Sequence, residues 1–270
     1  MSEESRVYCD THCHLEIPVF NEDFEEVVQR AVEAGLEFLI LPALDCASAE
    51  NILKLTRQRP GFFYAAVGIY PNYAAELEPD CLPRLAHMTV LPGVVAIGEI
   101  GLDYHWDYAT PAQQKAVLVP QLELARAVNL PVIIHNREAA DDIASVLLEW
   151  HASLPASHPQ RTRPGVMHSY TGPLELAREL AAAGFYFGVG GPLTYKNGRD
   201  KQALAQELPR EKILLETDSP YLPPHPHRGE RNEPAFIPLI AAKLGELWGM
   251  DAESAGRITT ANAKRLFNIP

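Results

Sequence analysis

Eight short runs rich in Val, Ile, Leu, Ala and aromatic side chains recur along the chain. They are RVYCDTH (6–12), EFLILPA (37–43), FFYAAVGI (62–69), GVVAIGE (93–99), LPVIIHN (130–136), GVMHS (165–169), FYFGVGG (185–191) and KILLETD (212–218). Their near-continuous apolar character suits parallel strands covered on both faces. Between them lie stretches with helical spacing, among them DFEEVVQRAVEAG, PAQQKAVLVPQLELARAVN, EAADDIASVLLEW and PLELARELAAAG. Several close on Gly or Asn, as helix stops do. This alternation predicts an α/β chain, a (β/α)8 TIM barrel, with a doubly wound open sheet as the alternative because periodicity does not show closure. DAESAGRITTANAKRLFNI (251–269) predicts an extra C-terminal helix. No repeat or Gly/Ser linker interrupts the pattern, so a single hydrolase domain is expected over residues 1–270.

Polar residues at the carboxyl ends of barrel strands carry functional weight. The first strand ends in His12 and His14, the fourth in Glu99, the fifth in His135, the sixth in His168 and the eighth in Asp218. On an extended strand Asp10, His12 and His14 project from one face. Each residue alone has a structural explanation, such as a hydrogen-bonded imidazole or a helix-capping carboxylate. Six at equivalent positions point instead to one mouth. Four imidazoles and two carboxylates without Cys suit Zn, Mn or a similar divalent ion. Six ligands exceed one tetrahedral shell, so two ions are expected, His12, His14 and Asp218 on one, His135 and His168 on the other, Glu99 between. Such a centre acidifies water and stabilises developing charge.

Composition narrows the partners. The chain has 270 residues, 47% of them hydrophobic, and a formal charge of −12. It therefore lacks the general basic character of a nucleic-acid-binding face, and positive charge at a phosphate would have to be local, as bound metal supplies. No run approaches the ~20 apolar residues of a membrane span, so a cytoplasmic protein without membrane contact is expected. Cys9, Cys13, Cys46 and Cys81 form no CxxC pair and are expected as reduced thiols, with Cys13 buried on the face opposite His12 and His14.

DTHCH, AIGEIGLDY, VIIHNREA, HSYTG, LLETDSPYL and RNEP resemble, in order and spacing, the motifs of TatD-family metal-dependent deoxyribonucleases of the amidohydrolase superfamily. The resemblance covers nearly the whole chain. It implies a TIM barrel, one to three divalent metals (Zn, Mn or Mg) and phosphodiester hydrolysis, often as a DNA exonuclease. By motif it implies ligation by His12, His14, Glu99, His135, His168 and Asp218, with Glu99 bridging and Asp218 also orienting or deprotonating the attacking water. Asp10 is a candidate partner for an imidazole. One position departs: where the family usually has Gly-x-His-Pro, this chain reads GIYP, with Tyr70 in place of His. A phenol can donate to a phosphate oxygen but is a different acid from imidazole.

Arg137 and Arg231 are expected phosphate contacts, with pairing to a nearby acid as the alternative. Tyr104, Trp106 and Tyr108 would either stack on unpaired bases or form a lid, and Asp103 would orient a ligand or hold that loop. His105, His225 and His227 are expected at the surface or rim, and His87, His151 and His158 facing solvent. The expected activity is trimming of DNA from a single-stranded or frayed end. A small-molecule amide, ester or lactone hydrolase is the alternative, and a scaffold retaining a structural metal is a third reading.

Overall fold

The computed structural model describes residues 6–270. Eight strands lie in one sheet in chain order: β1 (Tyr8–Asp10), β2 (Leu36–Pro42), β3 (Phe63–Val67), β4 (Val94–Asp103), β5 (Val132–Arg137), β6 (Gly165–Met167), β7 (Tyr186–Val189) and β8 (Ile213–Leu215). Every neighbouring pair is parallel. The seam between β8 and β1 is closed just beyond the strands, where Thr11 N donates to Leu215 O at 3.1 Å and His14 N to Ser219 O at 2.9 Å. The sheet is thus a barrel rather than an open doubly wound sheet. Helices α1 (Phe24–Glu33), α2 (Cys46–Gln58), α3 (Cys81–Met88), α4 (Pro111–Val128), α5 (Ala140–Ser153), α6 (Leu174–Ala182), α7 (Arg199–Glu207), α8 (Ile237–Trp248) and α9 (Ala252–Phe267) complete the fold. Local chemistry sets their ends. On α4, Thr110 caps the first turn by accepting from Gln113 N, and Asn129 stops the helix in the left-handed region at φ 58°.

Alternation divides the strands between two cores. Cys9, Phe38, Ile40, Ala66, Ile133, Val166, Tyr186 and Leu214 form one cluster with Ala263, Leu266 and Phe267 of α9 and with Ile269. Their neighbours in the strands pack with the surrounding helices in the other. The expected extra helix therefore closes the base of the barrel. Continuing by two residues from Ile133, Val166 and Leu214 reaches His135, His168 and Glu216, so the inner layer turns polar toward the mouth. Gly188 makes room there, since a Cβ on it would collide with the Glu216 carboxylate.

Three local expectations are corrected. β1 ends at Asp10 after a register irregularity at Tyr8 and Cys9, so His12 and His14 stand on the segment that follows it. Cys46 and Cys81, at the starts of α2 and α3 and 5.9 Å apart at Cα, form a disulfide, whereas Cys9 and Cys13 are free and buried. Spacing could not announce that pair, because the two helices meet only through the fold. His151 does not face solvent: it is buried, its ring 6.3 Å from Phe185, and burial lowers its pKa. Among the described residues no helix is long and apolar enough to cross a membrane.

Candidate metal centre

The six strand-end residues converge. His12 and His14 turn their Nε2 atoms toward each other at 3.1 Å. Glu99 lies beneath both, its Oε2 3.2 Å from His12 Nε2 and 3.8 Å from His14 Nε2, while its Oε1 is 3.0 Å from His135 Nδ1. Asp218 Oδ1 stands 3.9, 3.8 and 3.6 Å from the Nε2 atoms of His12, His14 and His168. The His168 ring stacks on that of His12 with centroids 3.5 Å apart. Asp218 is held at φ 58°, where its N donates to His12 O at 2.8 Å. A non-glycine residue in that region costs of order 1–3 kcal/mol, which the surrounding bonds must offset.

Two sets of donor atoms lie close enough to share an ion: His12, Glu99 and His168, and His12, His14 and Asp218. The second matches the expected group. His135 does not join His168 in a set but meets the cluster through Glu99, the common neighbour of the imidazoles.

For His14, His135 and His168 the imidazole nitrogen turned away from the cluster meets a further carboxylate, whereas His12 Nδ1 is buried without a partner among the described residues. Glu216 Oε1 is 3.0 Å from His168 Nδ1 and accepts from Ser169 N at 2.7 Å. Glu16, its side chain buried, is 3.5 Å from His14 Nδ1. Asp103 Oδ2 is 3.1 Å from both His135 Nε2 and the Tyr70 hydroxyl, so Asp103 orients an imidazole as well as accepting from His105 N in its loop. Sequence reasoning missed Glu16 and Glu216. Their signal was parity, since each stands two residues from a candidate ligand.

These contacts set the charges. Burial alone would lower the pKa of His14, but Glu16, Glu99 and Asp218 push it up to about 9. His168 is likewise opposed by burial yet raised to about 10 by Glu216 and Asp218. His12, buried beside His168, is lowered. Burial works against the Glu99 carboxylate, but His12 and His135 hold it well below the usual range. Tyr70 is pushed above the usual phenol range by burial and by Glu99 and Asp103, which makes it a donor rather than an acid.

Other candidates fall elsewhere. Asp10 reaches no imidazole: its carboxylate accepts from His12 N at 3.1 Å and Thr217 N at 2.9 Å, so it ties β1 to the segment after β8. Arg231 is not free for phosphate, because Asp23 takes both its terminal nitrogens at 2.8 and 2.6 Å and its guanidinium lies over Phe20. Arg137 is exposed and lines the cavity above the cluster, its guanidinium 5.5 Å from the Trp106 ring centroid. Trp106 and Tyr108 line the same cavity, of about 930 Å³, whereas the Tyr104 hydroxyl is turned to Asp142 at 2.7 Å. His105 pairs with Glu138 and His227 stacks on Phe236, both away from the cluster.

Nitrogen and oxygen donors without sulfur, surplus buried carboxylates, and two facing Nε2 atoms fit divalent cations. A barrel with this donor set at the carboxyl ends of its strands is a metal-dependent hydrolase. The chain belongs to the family described as TatD related DNase, which matches residues 9–268. It is 40% identical over 260 residues to the uncharacterized metal-dependent hydrolase YabD of Bacillus subtilis (strain 168), covering 96% of this chain and 98% of YabD. It is 34% identical over 266 residues to the 3'-5' ssDNA/RNA exonuclease TatD of Erwinia billingiae (strain Eb661), covering 97% and 99%. The crystal structure of YJJV, a TatD homolog from Escherichia coli K12, superposes with a TM-score of 0.88 at 33% identity, covering 97% of this chain and 98% of YJJV.

Proposed function

We propose that this hydrolase cleaves phosphodiester bonds at the ends of single-stranded or frayed DNA. The observation that carries the reading is the convergence of six residues, of which His14, Glu99, His135, His168 and Asp218 line a cavity of about 930 Å³ while His12 is buried against them. His12, His14 and Asp218 would hold one divalent ion, and Glu99 and His168, with His135 beside Glu99, are the donors left for a second. When bound, Zn, Mn or Mg supplies Lewis acidity to the phosphoryl group and acidifies water. Asp218 accepts the proton of the attacking water at its carboxylate, and Glu99 keeps the imidazoles in register from both its oxygens. Tyr70, protonated, gives its one hydroxyl proton to Asp103 at 3.1 Å and with Asp103 positions His135 rather than donating to phosphate, while Arg137 holds a phosphate from the rim. The relative named as an ssDNA/RNA exonuclease supports this substrate class.

The test is nucleotide release from single-stranded DNA labelled at one end, after chelator stripping and refilling with Mg²⁺, Mn²⁺ or Zn²⁺. Release should return with metal and disappear in Glu99→Ala. Loaded, folded protein that releases no nucleotide with any of the three ions refutes the nuclease reading. Turnover of amides, esters or lactones in the same preparation would then assign a small-molecule hydrolase, the reading favoured by Tyr70 at the position of the usual family His.

A further inference from the structure

We propose that the wall of the cavity above the cluster is a nucleobase-stacking site, which holds a single-stranded terminus by its bases and one cation rather than along its phosphate backbone. The proposal rests on the phosphodiesterase reading and narrows it to how the strand is gripped. Large exposed apolar side chains are concentrated here: Tyr73, Trp106, Tyr108, Tyr221 and Leu222 all line this cavity. Trp106 is 45%, Tyr108 66% and Tyr221 56% exposed, an unfavourable arrangement for aromatics unless a ligand covers them. The Trp106 and Tyr108 centroids are 6.0 Å apart with planes inclined by 38°. Tyr221 stands beside the cluster itself, 6.4 Å from the His14 ring. The aromatics come from loops after β3, β4 and β8, so they surround the mouth rather than cover one helix.

Charge points the same way. Among the described residues lining the cavity Arg137 is the one Lys or Arg, and the whole chain carries −12. A strand held along its backbone would need a row of cations, with binding that falls steeply as salt rises. A single guanidinium neutralises about one phosphate, giving a slope of log affinity against log salt near −0.7. Aromatic faces accept any base, and truncating one such contact weakens binding by roughly tenfold. Duplex ends, whose bases are already stacked and paired, would be held poorly until frayed.

The experiment measures binding of fluorescein-labelled oligothymidylate to metal-loaded protein by anisotropy between 50 and 200 mM KCl, beside a strand whose terminal nucleotides lack bases. The expected slope is no steeper than about −1, with binding weakened about tenfold for the base-free end. Trp106→Ala and Tyr221→Ala should each weaken the thymidylate strand about tenfold and add no loss on the base-free strand. A slope steeper than about −3, or equal losses on both strands, overturns stacking in favour of backbone contacts or a structural lid. Tight, base-dependent binding without nucleotide release would overturn the nuclease reading alone. Absence of binding, in protein that still hydrolyses a small nitrophenyl phosphodiester, would overturn stacking alone.

Discussion

Glu216 connects two features that look separate, the orientation of His168 and the left-handed backbone of Ser169 at φ 42°. One oxygen serves both, and Lys201 holds the same turn by donating to Ser169 O at 3.0 Å and to Tyr170 O. Glu216→Gln keeps the shape but removes the charge facing the imidazole. Affinity for one divalent ion should fall by about 10- to 100-fold, as read by competition with a chromogenic chelator at unchanged thermal midpoint. Unchanged affinity would show that Glu216 only fills space beside Gly188. The raised His14 and His168 values carry a second consequence. Below about 9 and 10 these imidazoles hold protons in the metal-free protein, and a cation must expel them. Metal affinity should therefore weaken as pH falls, and calorimetry at pH near 7.5 in two buffers of different ionisation heat should register proton release. Heats independent of buffer would contradict this.

Among the elements, the loop after β8 is clasped to α1 by Arg231 with Asp23 and by Arg30 with Glu233. These groups are partly exposed, so Arg231→Ala should lower stability by about 1 kcal/mol or less in a denaturant titration and leave metal binding intact. A large loss of oligonucleotide affinity in that variant would restore Arg231 as a phosphate contact. The clasp marks where sequence reasoning stops. Eight strands and the six convergent residues were legible because apolar runs and strand-end position are local signals. Arg231 was misread because its partner lies 208 residues away, and Asp10 because alternation lapses where β1 ends. The disulfide was missed for the same reason, since it depends on which segments the closed barrel brings side by side, whereas Glu16, two residues from His14, was within reach of the parity signal.

Across the whole molecule, α9 fills the base of the barrel that the strands leave open. Phe267, 3% exposed within the inner core, should cost about 3–5 kcal/mol when truncated to Ala, with the metal cluster at the opposite end retained in the fraction that folds. A loss under about 1 kcal/mol would mean that the plug is dispensable. The seam has a consequence for how the chain acquires its shape. Asp10 must find Thr217, 207 residues later, and Val7 O must receive Thr260, 253 residues later. Contacts at such separation form late and slowly, since loop closure precedes their reward. On a ribosome, His12 and His14 emerge first and wait through most of synthesis for Asp218, so during translation the two imidazoles are held in a chain that cannot yet exclude water or complete a cage. Metal capture is thereby deferred to the closing moments of folding.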